Sequence, residues 1–274
     1  MTRDRLTAGT ALIYTMVGIC GVAAFLYPFW LPGRALPSEA HSTTAPFVAA
    51  LMATLVMLAV TVEIRQGTMS GSTVAVLAVL ASSAGMLRLL DLPGGGSGIF
   101  FLVVLGGAAF GARFGILLGL SAMAVSAVLT GGIGPWLPFQ MLGLGLMGAL
   151  AGWVGSLTRR LPARGEVIVL AALGWVSGFL YGAVLNLWFW PFAIGEGPLS
   201  WNPGLGLTET IEHYWSFYVA TSLAWDAAGA LMNAVLILVT GIPVMRTLRR
   251  FSSRLLPAVH IEAPTELSLD APVG

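Results

Sequence analysis

The chain has 274 residues, of which 57% are hydrophobic and only 9% are charged, and its formal net charge is +1. This composition excludes an ordinary soluble domain, in which about a quarter of the residues are charged. It also argues against a nucleic-acid partner, because the basic residues are spread between apolar segments and form no dense cluster. The single cysteine, Cys20, excludes a disulfide framework within the chain.

Apolar segments long enough to cross a membrane recur along the chain. A spanning helix needs roughly 20 apolar residues. On that criterion the sequence predicts an all-α integral membrane protein with about eight transmembrane helices, at residues 8–31, 45–64, 72–90, 98–112, 114–130, 136–158, 166–190 and 215–245. The first segment is too long for the core of a signal peptide and lacks a clear cleavage site, so it is predicted to be retained.

The fourth and fifth predicted spans come from one apolar run, residues 99–129, which is interrupted only by Arg113. A single helix of this length would measure about 45 Å, whereas the hydrocarbon core is roughly 30 Å thick. Residues 111–115 contain two glycines and the arginine. The sequence therefore predicts a tight hairpin at this point and a short fourth helix.

The arginine positions predict the orientation, because cytoplasmic loops collect positive charge. The chain contains no lysine, and with the N-terminus inside every arginine except Arg34 and Arg88 falls on the cytoplasmic side. An odd number of spans between Arg5 and Arg246 would break this asymmetry. We therefore predict a multi-pass protein of the plasma membrane with both termini cytoplasmic, and a disordered tail over residues 251–274.

Glycines at four-residue spacing predict close helix packing. Gly174, Gly178 and Gly182 form such a row in the seventh span, and Gly148 and Gly152 form another in the sixth. Small residues at this spacing let two membrane helices approach each other closely. The alternative is that a membrane helix simply tolerates these glycines.

Tryptophan is concentrated on the predicted outer side. The residues concerned are Trp30, Trp136, Trp188, Trp190, Trp201 and Trp215. An aromatic belt at the membrane interface is the simpler explanation, although a belt normally has two sides. Because several of these residues lie in segments rich in glycine and proline, such as 130–140, the alternative is a rigid aromatic lid over a small, flat ligand.

Polar residues inside the predicted spans are few. Asp226 lies in the last span with Asn233 two turns further along, Asn186 lies near the outer end of the seventh span, and Arg88 ends the third. Such residues usually face a cavity or a partner, because a charge at membrane depth is costly. For Arg88 and Asp226 two interpretations stay open, a structural ion pair and contacts with a ligand.

The sequence contains no nucleophile elbow, no paired-histidine helix and no phosphate-binding loop with its lysine. We therefore predict no enzyme, no cofactor and no metal site. A protein of this kind that moves a solute uphill takes its energy from an ion gradient or from a separate ATPase.

Four blocks of the sequence resemble the substrate-binding S components of energy-coupling factor (ECF) transporters, in their actinobacterial form. The blocks are 129–141 (LTGGIGPWLPFQM), 186–192 (NLWFWPF), 220–226 (ATSLAWD) and 241–246 (GIPVMR). The resemblance implies a six-helix substrate-binding core over residues 72–250. Two additional transmembrane helices, in residues 1–71, would precede this core and either shield it or contact a partner subunit.

The resemblance also implies a function. An S component is the capture subunit of an ECF-type ABC importer, and it binds a vitamin or related micronutrient, with cobalamin as one candidate, at the outer face. It delivers this ligand inward with a transmembrane coupling subunit and two cytoplasmic ATPases. By matching position, the ligand site comprises Arg88, Trp136, Gln140, Asn186, Trp188, Trp190 and Asp226. The contact with the coupling subunit comprises Ala78, Ala81, Ser82 and Gly85, for which ordinary helix packing is the alternative.

Three other functions stay open at this point. An ion-coupled secondary transporter would use Asp226 as a proton or sodium site and would work without an ATPase partner. A non-transporting membrane scaffold would bind no small molecule. An intramembrane enzyme would require Asp226 and His213 to act together. The sequence does not select the substrate.

Overall fold

The computed structural model describes residues 8–26, 29, 69–90, 92, 96–192 and 197–255, together with individual helical residues between 46 and 65. The predicted second span therefore lies mostly outside the described residues, as do Trp30, Arg34 and residues 256–274 of the predicted tail. Eight α-helices are described, with a short 3-10 turn at Trp190–Phe192 between α6 and α7. They are α1 (Ala8–Leu26), α2 (Gly71–Leu87), α3 (Gly98–Phe110), α4 (Ala112–Thr130), α5 (Leu137–Thr158), α6 (Ala163–Phe189), α7 (Leu207–Thr221) and α8 (Leu223–Leu255).

Four of the described helices, α4, α5, α6 and α8, are long and apolar enough to cross a membrane. α2 and α3 are apolar but shorter, at 17 and 13 residues. Large apolar side chains such as Trp153, Leu157 and Val239 lie on the outside of the bundle, where they suit a hydrocarbon environment better than water. These features confirm the predicted class, an all-α membrane protein.

The short helix α3 lies at the centre of the bundle. It contacts α2, α4, α5, α6 and α8, and most of its residues are buried, from Gly98 to Ala109. At 1.5 Å per residue it is about 20 Å long. The prediction of a short helix at this point is confirmed.

A single residue, Gly111, connects α3 to α4 in the hairpin. α3 ends at Phe110 and α4 begins at Ala112, and Gly111 has φ +98° and ψ 171°. This backbone conformation is essentially restricted to glycine, because a Cβ atom would clash with the neighbouring peptide units. The predicted hairpin is therefore confirmed, and the structure assigns its tight turn to Gly111.

Replacement of Gly111 by alanine is expected to destabilise the bundle by about 2 kcal/mol, the cost of holding a side chain in this conformation. The melting temperature of the chain purified in detergent measures this effect. Gly204→Ala is the matched control, because Gly204 is another loop glycine with an ordinary φ and no atom within 4 Å of the position that a Cβ would take. Equal melting temperatures for the two variants would contradict a strained turn at Gly111.

Glycines bring α4 and α5 into backbone contact. A Cβ atom on Gly148 would overlap the carbonyl oxygen of Gly115, and one on Gly119 would overlap that of Leu144. A Cβ atom on Gly152 would meet the backbone of Ala112. The predicted packing role of Gly148 and Gly152 is therefore confirmed.

The second glycine row joins α6 to α8, and the two helices run antiparallel. A Cβ atom on Gly174 would lie 2.7 Å from Ile237 Cδ1, and one on Gly178 would lie 2.8 Å from the Cβ of Ala230. At Gly182 the same position is filled by the carboxylate of Asp226. The row therefore serves packing along most of its length, and at Gly182, towards the C-terminal end of α6, it admits a carboxyl group.

The predicted last span, residues 215–245, is wrong in its boundaries, because the structure has two helices there. α7 ends at Thr221 and α8 begins at Leu223, and between them Ser222 has φ −131° and ψ −32°. Asn186 donates a hydrogen bond from Nδ2 to Ser222 Oγ, over 2.7 Å. The sequence gives no clear signal for this break. Residues 220–226 contain no glycine or proline to mark it, and a hydropathy scan does not detect a change of helix direction within one segment. α8 also continues to Leu255, so residues 251–255 of the predicted tail are helical.

Candidate functional site

The side chains predicted to bind a ligand all lie at helix ends on one side of the bundle. This side is formed by the ends of α2 and α6 and the beginnings of α5 and α8, with the 3-10 turn that follows α6. The residues are Arg88, Trp136, Gln140, Asn186, Trp188, Trp190 and Asp226. Three sets of contacts are found around them. We call these the Arg88 group (Arg88, Met123, Ser126, Gln140 and Tyr181), the Asp226 group (Gly182, Tyr214, Tyr218 and Asp226) and the Trp190 cluster (Phe29, Trp190, Trp201 and Tyr214).

The Arg88 group joins α2, α4, α5 and α6. Arg88 follows the last residue of α2, and its Nη1 lies 3.0 Å from the sulfur of Met123 and 3.5 Å from Ser126 Oγ. Arg88 also interacts electrostatically with Tyr181 on α6. The Tyr181 hydroxyl donates to the carbonyl oxygen of Gln140, over 3.5 Å. A guanidinium group is thus held near a phenol that bonds to the backbone carbonyl of Gln140, where four helices meet.

Trp188 forms an aromatic wall beside this group. Its ring lies 5.5 Å from that of Phe139 on α5 and 6.0 Å from that of Phe189. Phe139 in turn packs edge-on against Phe25 of α1, with the ring centroids 5.6 Å apart. Trp188 is almost completely buried. α1 therefore covers this end of the core, and its aromatic residue Phe25 completes the wall.

The Asp226 group lies between α6, α7 and α8. The Asp226 carboxylate rests against Gly182 and interacts electrostatically with the hydroxyl of Tyr218. Neither Asp226 Oδ2 nor that hydroxyl has a partner at hydrogen-bond geometry among the described residues, although both atoms are buried. The Asp226 carboxylate and the Tyr218 hydroxyl are therefore close partners that lie outside hydrogen-bond geometry. An acidic side chain within an apolar helix is a candidate for a function.

Tyr214 fixes α7 to α6 next to the Asp226 carboxylate. Its hydroxyl donates to the carbonyl oxygen of Ala183. Burial raises the pKa of the Tyr214 phenol, and the nearby charge of Asp226 raises it further. The phenol therefore stays neutral and keeps donating its hydrogen bond throughout the physiological pH range.

Arg88 and Asp226 do not form an ion pair. The Arg88 guanidinium is directed towards Met123 and Ser126 on α4, whereas the Asp226 carboxylate lies between α6 and α8. The interpretation of these two residues as a structural ion pair is therefore wrong. Each residue has other partners instead, Ser126 for Arg88 and Tyr218 for Asp226.

Trp190, at the centre of the Trp190 cluster, is fully buried. Its Nε1 donates to the carbonyl oxygen of Leu199 over 2.9 Å, and its ring packs 5.2 Å from that of Tyr214 and 6.1 Å from that of Phe29. Trp201 packs edge-on against the same Phe29, at 5.6 Å. This cluster holds the loop before α7 against the end of α6.

The remaining aromatic and histidine residues at this end of the bundle are less enclosed. Trp136 is 42% exposed, and its Nε1 donates to the carbonyl oxygen of Gly132. Trp215 is also exposed. His213 is half-buried and contacts the carbonyl oxygen of Ser200 through Nδ1, at 2.8 Å. Among the described residues, no group of three histidine, cysteine or acidic side chains is placed to hold a metal ion.

Sequence reasoning missed several members of these groups. Tyr214 and Tyr218 are four residues apart, which places both on one face of a helix, and this spacing was the signal that could have found them. Tyr181, Met123 and Ser126 carried no such signal, because only the packing of three helices brings them to Arg88.

Residues 72–241 match the family model of the substrate-specific component of ECF transporters. The chain belongs to this family. The matched region runs from α2 into α8, so it includes the Arg88 group and the Asp226 group. No curated protein and no solved structure matches the chain. As an S component, the protein is a transporter subunit that serves a small-molecule substrate together with a coupling and ATPase module.

In this S component the four small residues of α2 predicted to contact the coupling subunit fall into two pairs. Ala81 and Gly85 are buried, and a Cβ atom on Gly85 would lie 3.0 Å from the backbone nitrogen of Ser126 on α4. Ala78 and Ser82 are exposed. The first pair thus packs α2 against the bundle, whereas the second pair lies on an outward face.

Proposed function

We propose that this S component captures a vitamin or related micronutrient at the outer end of the bundle. The observation that carries this proposal is the Arg88 group with its aromatic wall, within the region that matches the family. A few polar groups set among aromatic side chains are typical of small-molecule sites. Arg88, Gln140 and Trp188 would contact the ligand, and the exposed ring of Trp136 would close over it. Cobalamin is one candidate ligand.

The other three predicted site residues would hold the outer cover of this site. Asn186 bonds to the break between α7 and α8, Trp190 anchors the loop before α7, and the Asp226 carboxylate lies beside Tyr218 of α7. Release of these contacts would free α7 as a unit. In this proposal Asn186, Trp190 and Asp226 set the position of α7 over the ligand. The ligand would contact α7, and these three residues would act on the ligand only through that helix.

The delivery step would use a transmembrane coupling subunit and two cytoplasmic ATPases. Support comes from the family match and from the absence of a nucleotide-binding motif in the sequence. The match begins at residue 72, which supports a division into two N-terminal helices and a substrate-binding core over residues 72–250. The arginines of the α5–α6 connection and of the end of α8 support the orientation with both termini cytoplasmic.

The test is thermal stabilisation of the chain, purified alone in detergent, by a panel of vitamins that includes cobalamin. A ligand at a hundredfold excess over its Kd stabilises the fold by about 2.7 kcal/mol. We expect one vitamin to produce such a shift and Trp188→Ala to abolish it. Trp153→Ala is the matched control, because Trp153 lies on the outside of α5 and is 65% exposed.

Two outcomes would contradict vitamin capture. The first is the absence of a vitamin effect that depends on Trp188. Either no vitamin shifts the melting temperature, or Trp153→Ala removes the shift as fully as Trp188→Ala does. The second is stabilisation by sodium or by a change of pH that disappears in Asp226→Asn. This second result would favour an ion-coupled secondary transporter, for which the carboxylate of Asp226 within an apolar helix, beside Tyr218, is the supporting observation.

A further inference from the structure

A cavity of about 190 Å³ lies at the other end of the bundle, between the beginning of α6 and the end of α8. One part of its wall is apolar and includes Val167, Ile242 and Met245. The first residue of α6, Ala163, also lines it. The start of a helix carries partial positive charge, and the residue before Ala163 supplies no side-chain cap.

The other part of the cavity wall is charged. Glu166 is buried and forms an ion pair with Arg249 Nη2, and Arg249 Nε is buried with no acceptor among the described residues. Arg246 lies one turn earlier on α8, is exposed, and lines the same cavity. Because one carboxylate faces two guanidinium groups, the lining carries one net positive charge. Arg246, which is exposed, remains available to an anion, and the Arg249 side chain lines the cavity beside it.

An amphipathic anion fits this wall best. Guanidinium groups bind phosphate oxygens with well-defined geometry, and the apolar part of the wall would exclude a fully hydrated ion. In the orientation proposed above, the cavity opens at the cytoplasmic leaflet, where anionic lipids concentrate and where basic pockets between helices bind their headgroups. We propose that this cavity binds the phosphate of an anionic phospholipid. Arg246 and Arg249 contact the phosphate, and Ile242 and Met245 contact the carbon chain next to it.

The test uses the full chain in detergent with short-chain phosphatidylglycerol, and short-chain phosphatidylcholine as the zwitterionic comparison. Phosphatidylglycerol is expected to raise the melting temperature at lower concentration than phosphatidylcholine. In Arg246→Gln the half-saturating concentration rises about fivefold, the contribution of one basic side chain near a charged membrane surface. Arg250→Gln is the matched control, because Arg250 is an exposed arginine of the same helix that does not line the cavity.

Glu166→Gln is expected to change the half-saturating concentration of phosphatidylglycerol in the direction opposite to Arg246→Gln. Removal of the carboxylate frees the Arg249 guanidinium and takes away a repulsive charge, so the half-saturating concentration of phosphatidylglycerol falls. A merely structural ion pair between Glu166 and Arg249 would predict lower stability of this variant with no gain in lipid affinity.

The lipid assignment is overturned if phosphatidylcholine and phosphatidylglycerol act alike, or if Arg246→Gln and Arg250→Gln have the same effect. A last comparison uses inorganic phosphate, which tests whether the cavity binds soluble phosphate rather than a lipid. If inorganic phosphate stabilises the chain as well as phosphatidylglycerol and does so through Arg246, the cavity is a site for soluble phosphate and the lipid assignment is again overturned. None of these measurements depends on a vitamin, so they fail independently of the proposed capture function.

Discussion

Replacement of Gly148 by alanine is expected to destabilise the bundle by about 3 kcal/mol, near the upper end of the usual cost of overpacking. The added methyl group would overlap the carbonyl oxygen of Gly115. Both sides of this contact are backbone, so no side chain can rotate away, and α4 and α5 would have to move apart. Equilibrium unfolding of the detergent-purified chain, followed by its loss of helical signal, measures the change in free energy.

Gly229→Ala provides the matched control. Gly229 is also a helical glycine, in α8, but no atom lies within 4 Å of the position that its Cβ would take. Alanine favours a helix over glycine by about 0.5–1 kcal/mol, so this variant should be at least as stable as the wild type. A similar loss of stability in both variants would show that the α4–α5 contact is looser than the structure indicates.

Replacement of Ala78 by tryptophan is expected to weaken the association with the coupling subunit about tenfold or more. Ala78 and Ser82 are exposed on α2, and small residues on an outward helix face allow a second membrane helix to approach closely. An indole ring would hold that helix away, and a misfit of about 2 kcal/mol, within the usual cost of overpacking, corresponds to a more than tenfold loss of affinity. Co-purification of the tagged chain with co-expressed coupling subunit and ATPases measures the association.

Ala172→Trp is the control for this experiment, since Ala172 is another exposed alanine on a long apolar helix, α6. It should leave the association unchanged. Stabilisation by the vitamin should persist in both variants, because Ala78 is far along α2 from Arg88. If Ala172→Trp disrupts the association as strongly as Ala78→Trp, the coupling subunit binds another surface.

The exposed and the buried small residues of α2 differ in what a substitution there would test. Ala81 and Gly85 pack against the bundle, so bulky substitutions there would disturb α4 whether or not a partner binds. Only Ala78 and Ser82 can report on docking without damage to the fold. A substitution chosen from the sequence motif alone would not have separated the two effects.

The sequence by itself determined the class of this protein and much of its helix arrangement. Composition established a membrane protein, and segment length together with the two glycines and the arginine of residues 111–115 located the hairpin between α3 and α4. The spacing of Gly148 and Gly152 indicated a close helix contact. These properties are local, because hydropathy, glycine content and residue spacing act within one or two turns of a helix.

Only the tertiary structure decided how the polar residues are combined. The sequence allowed Arg88 and Asp226 to pair with each other, yet they face different helices. Glu166 and Arg249 are 83 positions apart and form an ion pair. The break at Ser222 was also invisible to hydropathy. Such features depend on the rotation of each helix about its axis and on the partner it faces, and packing between distant segments sets both.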